Sequence, residues 1–170
     1  MRTIKFKGKR IDNGEWEEGG LLQSVNGITL IGDNQGYICT DGYGHYDDFN
    51  IRQVAPDTVC QFTGLLDKNG KEIYEGDVLR SDEYPYSCIG DKKRDNYYAV
   101  VYYCEEGACF GTVTAKNPSS DVGGISDGIL DDVEREKMKS FEVIGNIHEE
   151  KWQQYGEYFK TEEEKEADND

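Results

Sequence analysis

The sequence predicts a mainly β protein, and three observations carry that prediction. Apolar and polar residues alternate with period two, Asn-Gly and Asp-x-x-Gly turn signals separate the alternating runs, and the block YYAVVYYC at Tyr97–Cys104 is dense in aromatic and β-branched residues. The expected organisation is an N-terminal antiparallel β-hairpin subdomain over residues 1–60, an SH3-like β-barrel over 61–150 sharing its core, and an acidic C-terminal tail over 151–170 that begins as a short helix. One domain or two small subdomains suit the 170 residues, since domains run from about 50 to 250. Hydrophobic residues make up only 36%, but 12 Tyr, 6 Phe and 2 Trp bring large apolar area each, enough for a modest core.

The opening RTIKFKGKRI alternates, with Ile4 and Phe6 on one side and Thr3, Lys5 and Lys7 on the other, as a half-buried strand does. Asn13-Gly14 then suits a tight hairpin turn, because both residues tolerate positive φ, and a return strand runs from Trp16 to Leu22. A second hairpin follows from LLQSV through Asn26-Gly27 to ITLIG. Residues 33–48, DNQGYICTDGYGHYDD, read as a loop with a short strand at Tyr37–Cys39, and extended structure resumes on both sides of Pro56.

In CQFTGLLDKNGKEIYEGDVLR, Cys60–Arg80, each distinctive residue has a geometric task. Asp67 starts a type I turn by accepting backbone hydrogen bonds, and Gly70 closes it in the left-handed region. Gly76 and Asp77 make a second corner into the strand VLR. YYAVVYYC then pairs with ACFGTVTA through the turn at Glu105–Gly107, ILDDVEREKMKS has apolar spacing that suits a helix, and FEVIGNIHE closes as the last strand. This order from Tyr74 onward is what a small SH3-like barrel needs, and closure would remove the exposed edges of such apolar strands.

The phrase FTGLLDKNGKEIYEGDVL resembles the signature of the YopX-like family of phage and prophage proteins, and the flanks RTIKFKGKRIDNGEW and FEVIGNIHE resemble it too. The resemblance covers most of residues 1–148. It implies a YopX-like, predominantly β fold with a barrel-like half and an origin in a mobile element. It brings no catalytic or cofactor-binding residue with it.

Lys and Arg number 19 and Asp and Glu 35, a net charge of −16. Glu149–Asp170 holds nine acidic and three basic residues, so the acidity belongs to the body as well as to the tail. So negative a surface repels phosphate backbones, and no direct nucleic-acid binding is expected. It favours solubility or a basic protein partner, or, if its carboxylates stood at phosphate spacing, mimicry of DNA. No apolar run reaches the roughly 18 residues of a membrane span, and Met1–Arg10 lacks an apolar signal region, so a cytoplasmic protein with no membrane association is expected. The five cysteines contain no Cys-x-x-Cys pair and read as buried thiols.

Candidate chemistry is sparse. Asp41, His45, Asp47 and Asp48 form the one cluster with a metal-ligand character, and a small-ligand or metal-dependent enzyme centred on residues 37–48 is the alternative to a non-enzymatic protein-interaction module. A calcium loop at Asp67, Asn69 and Lys71 fails, because Lys71 puts a cation on a ligand position and Glu72 replaces the required Gly. Asp131, Asp132, Glu134 and Glu136 would spread around a helix rather than converge on two metals. Tyr97, Tyr98, Tyr102 and Tyr103 suit core and interface packing better than base stacking, since no basic groove accompanies them, and His148 suits packing better than proton transfer. No cofactor is implied, and homo-oligomerisation stays open.

Overall fold

The computed structural model describes residues 3–32, 51–81, 97–105, 107–115, 127–129 and 139–156. The chain divides into two compact units, Met1–Gly64 and Leu65–Asp170. It is mainly β, with two antiparallel sheets.

The first unit is built from β1 (Phe6–Lys9), β2 (Trp16–Gln23), β3 (Thr29–Gly32), β4 (Ile51–Gln53) and β5 (Cys60–Leu66), ordered β4-β3-β2-β1-β5. Both Asn-Gly hairpins form. Lys9 pairs with Trp16 and Gln23 with Thr29, and only the glycine of each Asn-Gly pair takes positive φ (73° at Gly14, 80° at Gly27), so the turns are longer loops closed by a left-handed glycine and not the two-residue turns expected from the pairs. Ile31 and Val54 are buried against the backbone of Gly8, where a Cβ would stand 3.1 Å from Val54 and 3.2 Å from Ile31. The alternation of β1 does not predict its burial. Ile4, expected within the strand, lies before it and is exposed, whereas Lys7 is buried with its ammonium 4.9 Å from the centre of the Trp16 ring. The aliphatic stem of a lysine covers apolar surface while its charge rests on an aromatic face, which alternation alone does not reveal.

The second unit contains β6 (Glu72–Tyr74), which follows β5 through a hairpin turn, then β7 (Asp77–Ser81), β8 (Tyr97–Cys104), β9 (Cys109–Ala115), β10 (Asp127–Ile129) and β11 (Glu142–Asn146). A 3₁₀ turn at Glu150–Trp152 leads into the short helix α1 (Gln153–Gly156). The sheet order is β10-β9-β8-β7-β11. Successive side chains of a strand point to opposite faces, and here both faces are covered. Leu79, Ala99 and Val101 join Ile73, Phe110 and Phe141 on one side, and Val78 and Val100 join Trp152 and Tyr155 on the other. Burial on both faces is why β8 reads as a continuous apolar run instead of an alternating one. Each such side chain contributes roughly 1.5–3 kcal/mol.

The barrel expected for residues 61–150 is not seen as a closed sheet. Among the described residues no sheet is closed, and β10 and β11 stand at opposite ends of the order. The physical reason lies in the C-terminal segment: Trp152 and Tyr155 cover one face of the sheet, so its apolar surface is buried without strand-to-strand closure. The helix expected from Ile129 onward also differs at both of its ends. Ile129 pairs with Gly111 as the last residue of β10, and Lys139–Ser140 form a turn, so strand pairing overrides helical spacing where it can be observed. Residues 130–138 and the strand expected at Tyr37–Cys39 lie outside the described residues.

Candidate functional site

The turn after β5 is organised by one carboxylate. Asp67 Oδ1 accepts the N–H groups of Asn69 (2.7 Å) and Lys71 (2.9 Å), its own backbone pairs with Lys71 O, and Gly70 takes φ of 81°. A third bond is long-range: the N–H of Val143 donates to Asp67 Oδ2 at 3.0 Å, and Lys68 N–H donates to Phe141 O at 2.8 Å. The Asp67–Lys68 turn, inside the second unit, is thereby fastened to the start of β11. Beside it, Glu142 accepts Lys68 Nζ at 3.0 Å and also its register partner Arg80. The hydrogen bond from Lys68, then that from Arg80, hold the Glu142 carboxyl below the usual range against some desolvation.

Burial pushes the Asp67 carboxyl up, and the N–H groups of Val143, Lys71 and Asn69 more than reverse the push, so its pKa lies below the ordinary value. A depressed folded-state pKa adds stability that is present above the unfolded pKa, near 4, and is lost as pH falls through the folded value. Asp67→Asn is therefore expected to lower stability at pH 7 by about 1–2 kcal/mol, since an amide NH₂ would face the Val143 N–H. In urea titrations the gap to the parent should narrow as pH falls below the unfolded value and through the depressed folded one; a gap independent of pH would contradict the assignment.

The second corner is deeper. Asp77 is fully buried; its Oδ2 accepts Tyr74 N–H at 2.8 Å and its Oδ1 accepts Asn146 Nδ2 at 2.9 Å. Asn146, 1% exposed, also donates to Glu75 O (3.1 Å) and accepts His148 N–H (3.0 Å). Gly76 donates to Val101 O and accepts Ile147 N–H, at 2.8 and 2.9 Å. At Gly76 φ is 73°, and a Cβ would stand 3.1 Å from Ile147 and 3.2 Å from Asn146, so both conformation and space call for glycine. Asp67, Gly70, Gly76 and Asp77 are thus all engaged with backbone of this unit.

The remaining candidates divide by position. Asp41, His45, Asp47, Asp48, Asp131, Asp132, Glu134 and Glu136 lie outside the described residues. Among the described residues no group of three or more His, Cys, Asp or Glu is placed to hold a metal ion. Tyr97 begins β8; Tyr98 packs against the Val78–Trp152 cluster, while Tyr103 meets Phe110 edge to face at 5.4 Å on the opposite face. No described helix is long and apolar enough to cross a membrane.

The surface that sequence reasoning passed over is the β2–β3 hairpin. Leu22 and Leu30 face each other across the ladder, Leu22 is 54% and Ile28 42% exposed, and Val25 at the tip is fully exposed. The turn that carries them is pinned by Ser24, whose N–H donates to Ile28 O at 2.9 Å and whose Oγ accepts the N–H groups of Asn26 and Ile28, each at 3.2 Å. Residues 19–32, GGLLQSVNGITLIG, contain no charged residue in a chain that is 32% charged. That absence of charge was the available signal. The hairpin thus holds these apolar side chains out to solvent on a hydrogen-bonded turn.

No curated protein matches the chain. A sequence model described as YopX protein matches residues 5–151, a span running from β1 to the start of the Trp152 turn. The Asp67 turn, the Gly76–Asp77 corner and its Asn146 partner all fall inside that span, and the chain belongs to the YopX family.

Proposed function

We propose that the chain is a phage- or prophage-derived accessory protein, acting in the cytoplasm as a non-enzymatic module that binds another protein through the β2–β3 hairpin. The observation that carries this reading is the uncharged hairpin, with Leu22 and Ile28 about half exposed and Val25 fully exposed. Apolar side chains on a rigid turn supply contact area at low ordering cost, the quality that makes a few residues dominate binding. Charge supports a basic partner. Residues 1–64 hold six Lys and Arg against nine Asp and Glu, and 65–170 hold thirteen against twenty-six, so the acidic field that would steer such a partner comes chiefly from the second part of the chain. The SH3-like character expected for residues 61–150 belongs to the same proposal, supported by the meander β7-β8-β9-β10 with β11 returning beside β7.

The test compares the parent with a Leu22→Asp/Val25→Asp double variant in pull-downs from host lysate. Both positions are exposed, so the variant should keep its melting temperature within about 2 °C, the effect of a surface change of roughly 0.5 kcal/mol. A specific partner recovered by the parent and lost by the variant is the expected result. Recovery of the same partner by both would remove the hairpin from the reading, and repeated failure to recover any specific partner would remove the interaction module itself.

A further inference from the structure

The five cysteines were expected to be buried thiols, and Cys60 is. Cys104 and Cys109 are not. They are free, half-buried, and direct register partners at the turn end of the β8–β9 ladder, with four residues between them. Register partners in an antiparallel pair place their Cα atoms about 4.5–5.5 Å apart. A disulfide needs Cα atoms roughly 4.4–6.8 Å apart, so this pairing asks for side-chain rotation and no movement of the backbone.

Three further features favour the pair. Both sulfurs lie over Gly107: a Cβ built there would stand 3.0 Å from Cys109 Sγ and 3.6 Å from Cys104 Sγ, so the glycine leaves the space in which they turn. The hairpin end is fixed by the Ala108 N–H bond to Glu105 O at 3.3 Å, with Ala108 at φ 49°. The next rung, Tyr103 and Phe110, stacks edge to face at 5.4 Å and holds the ladder in register.

We propose that Cys104 and Cys109 are a reversible redox dithiol, a modification site whose co-reactant is a low-molecular-weight disulfide. One cysteine thiolate attacks a sulfur of the disulfide RS–SR, forming a mixed disulfide and releasing one thiolate RS⁻. The second cysteine thiolate then attacks the protein-side sulfur, closing the Cys104–Cys109 bond and releasing the second RS⁻. The two protons given up by the cysteines pass through water to the released thiolates, so two protein thiols are oxidised and one disulfide is reduced to two thiols. The site is separate from the β2–β3 hairpin and does not depend on the binding role proposed for it.

The experiment uses the full chain with Cys39→Ser and Cys88→Ser, leaving Cys60, Cys104 and Cys109. The folded protein is treated with excess oxidised glutathione, then mapped by mass spectrometry without reduction. The expected product has lost two hydrogens and carries a Cys104–Cys109 link, with Cys60 unmodified and both thiols restored by dithiothreitol. Adding Cys104→Ser or Cys109→Ser should stop the reaction at a glutathione adduct on the remaining cysteine. The folded pair should also close at least about tenfold more favourably than the same chain in urea, as register pairing raises the effective concentration of one thiol at the other; this comparison requires no variant at either position. Stable glutathione adducts at both cysteines, unreacted thiols, links between two chains, or equal closure in urea would each overturn the proposal.

Discussion

Gly145→Ala is expected to destabilise the second unit by about 3–5 kcal/mol, comparable to deleting a buried tryptophan. Gly145 sits where β11 gains an extra residue against β7: Val143 pairs with Leu79 and Gly145 with the very next residue, Val78. The bulge brings the β11 backbone under the indole of Trp152, which is only 6% exposed, and a Cβ at Gly145 would collide with that ring. An alanine therefore displaces Trp152 from its place beside Val78, Val100 and Tyr155. For a chain of this size the melting temperature should fall by roughly 6–20 °C. Because the collision is with one side chain, adding Gly145→Ala to Trp152→Ala should cost little further. Full additivity of the two changes would show that the bulge matters for another reason.

The second large effect is expected at Asp77. Asp77→Ala strips the acceptor from two buried donors, Tyr74 N–H and Asn146 Nδ2, at a site with no solvent exposure. Unsatisfied buried donors cost about 1–3 kcal/mol each, so a total near 3–5 kcal/mol is expected in denaturant titrations. Asn146→Asp should be at least as damaging, since it sets a second carboxylate against Asp77 and loses the donor to Glu75 O. The exchange Asp77→Asn/Asn146→Asp restores a donor and an acceptor between the two positions and should be more stable than Asn146→Asp alone. Simple additivity in this cycle would mean that the two side chains do not act as a pair.

What the sequence revealed follows the range of the forces involved. The positions of the hairpins at Asn13-Gly14 and Asn26-Gly27 were legible because a glycine that takes positive φ marks where the chain turns, whereas the length of each loop was not. β8 matches Tyr97–Cys104 because β-branched and aromatic density marks a strand whatever it packs against. What stayed hidden in the second unit involves distant partners. Ile129 joined a strand because β9 was available to pair with it, and the cover that Trp152 and Tyr155 give one face of the open sheet was not visible in the sequence. Asp67 showed its turn bonds locally, but its bond to Val143 spans 76 residues. For the hairpin surface, the sequence offered only an absence of charge, and exposure had to come from the fold. The Cys104–Cys109 pairing was closer to legible: the two residues flank a turn that the sequence already suggested, and only their half-exposed, facing disposition was hidden.

The hairpin reading is tested most directly by contact at its tip. A photo-crosslinking amino acid placed at Val25, a fully exposed position, would be activated in host cells, with the same residue at exposed Asp12 in the β1–β2 turn as the control. A single discrete protein adduct from position 25, absent from position 12, is the predicted result. No adduct at position 25, or the same adducts at both positions, would contradict docking through the β2–β3 hairpin.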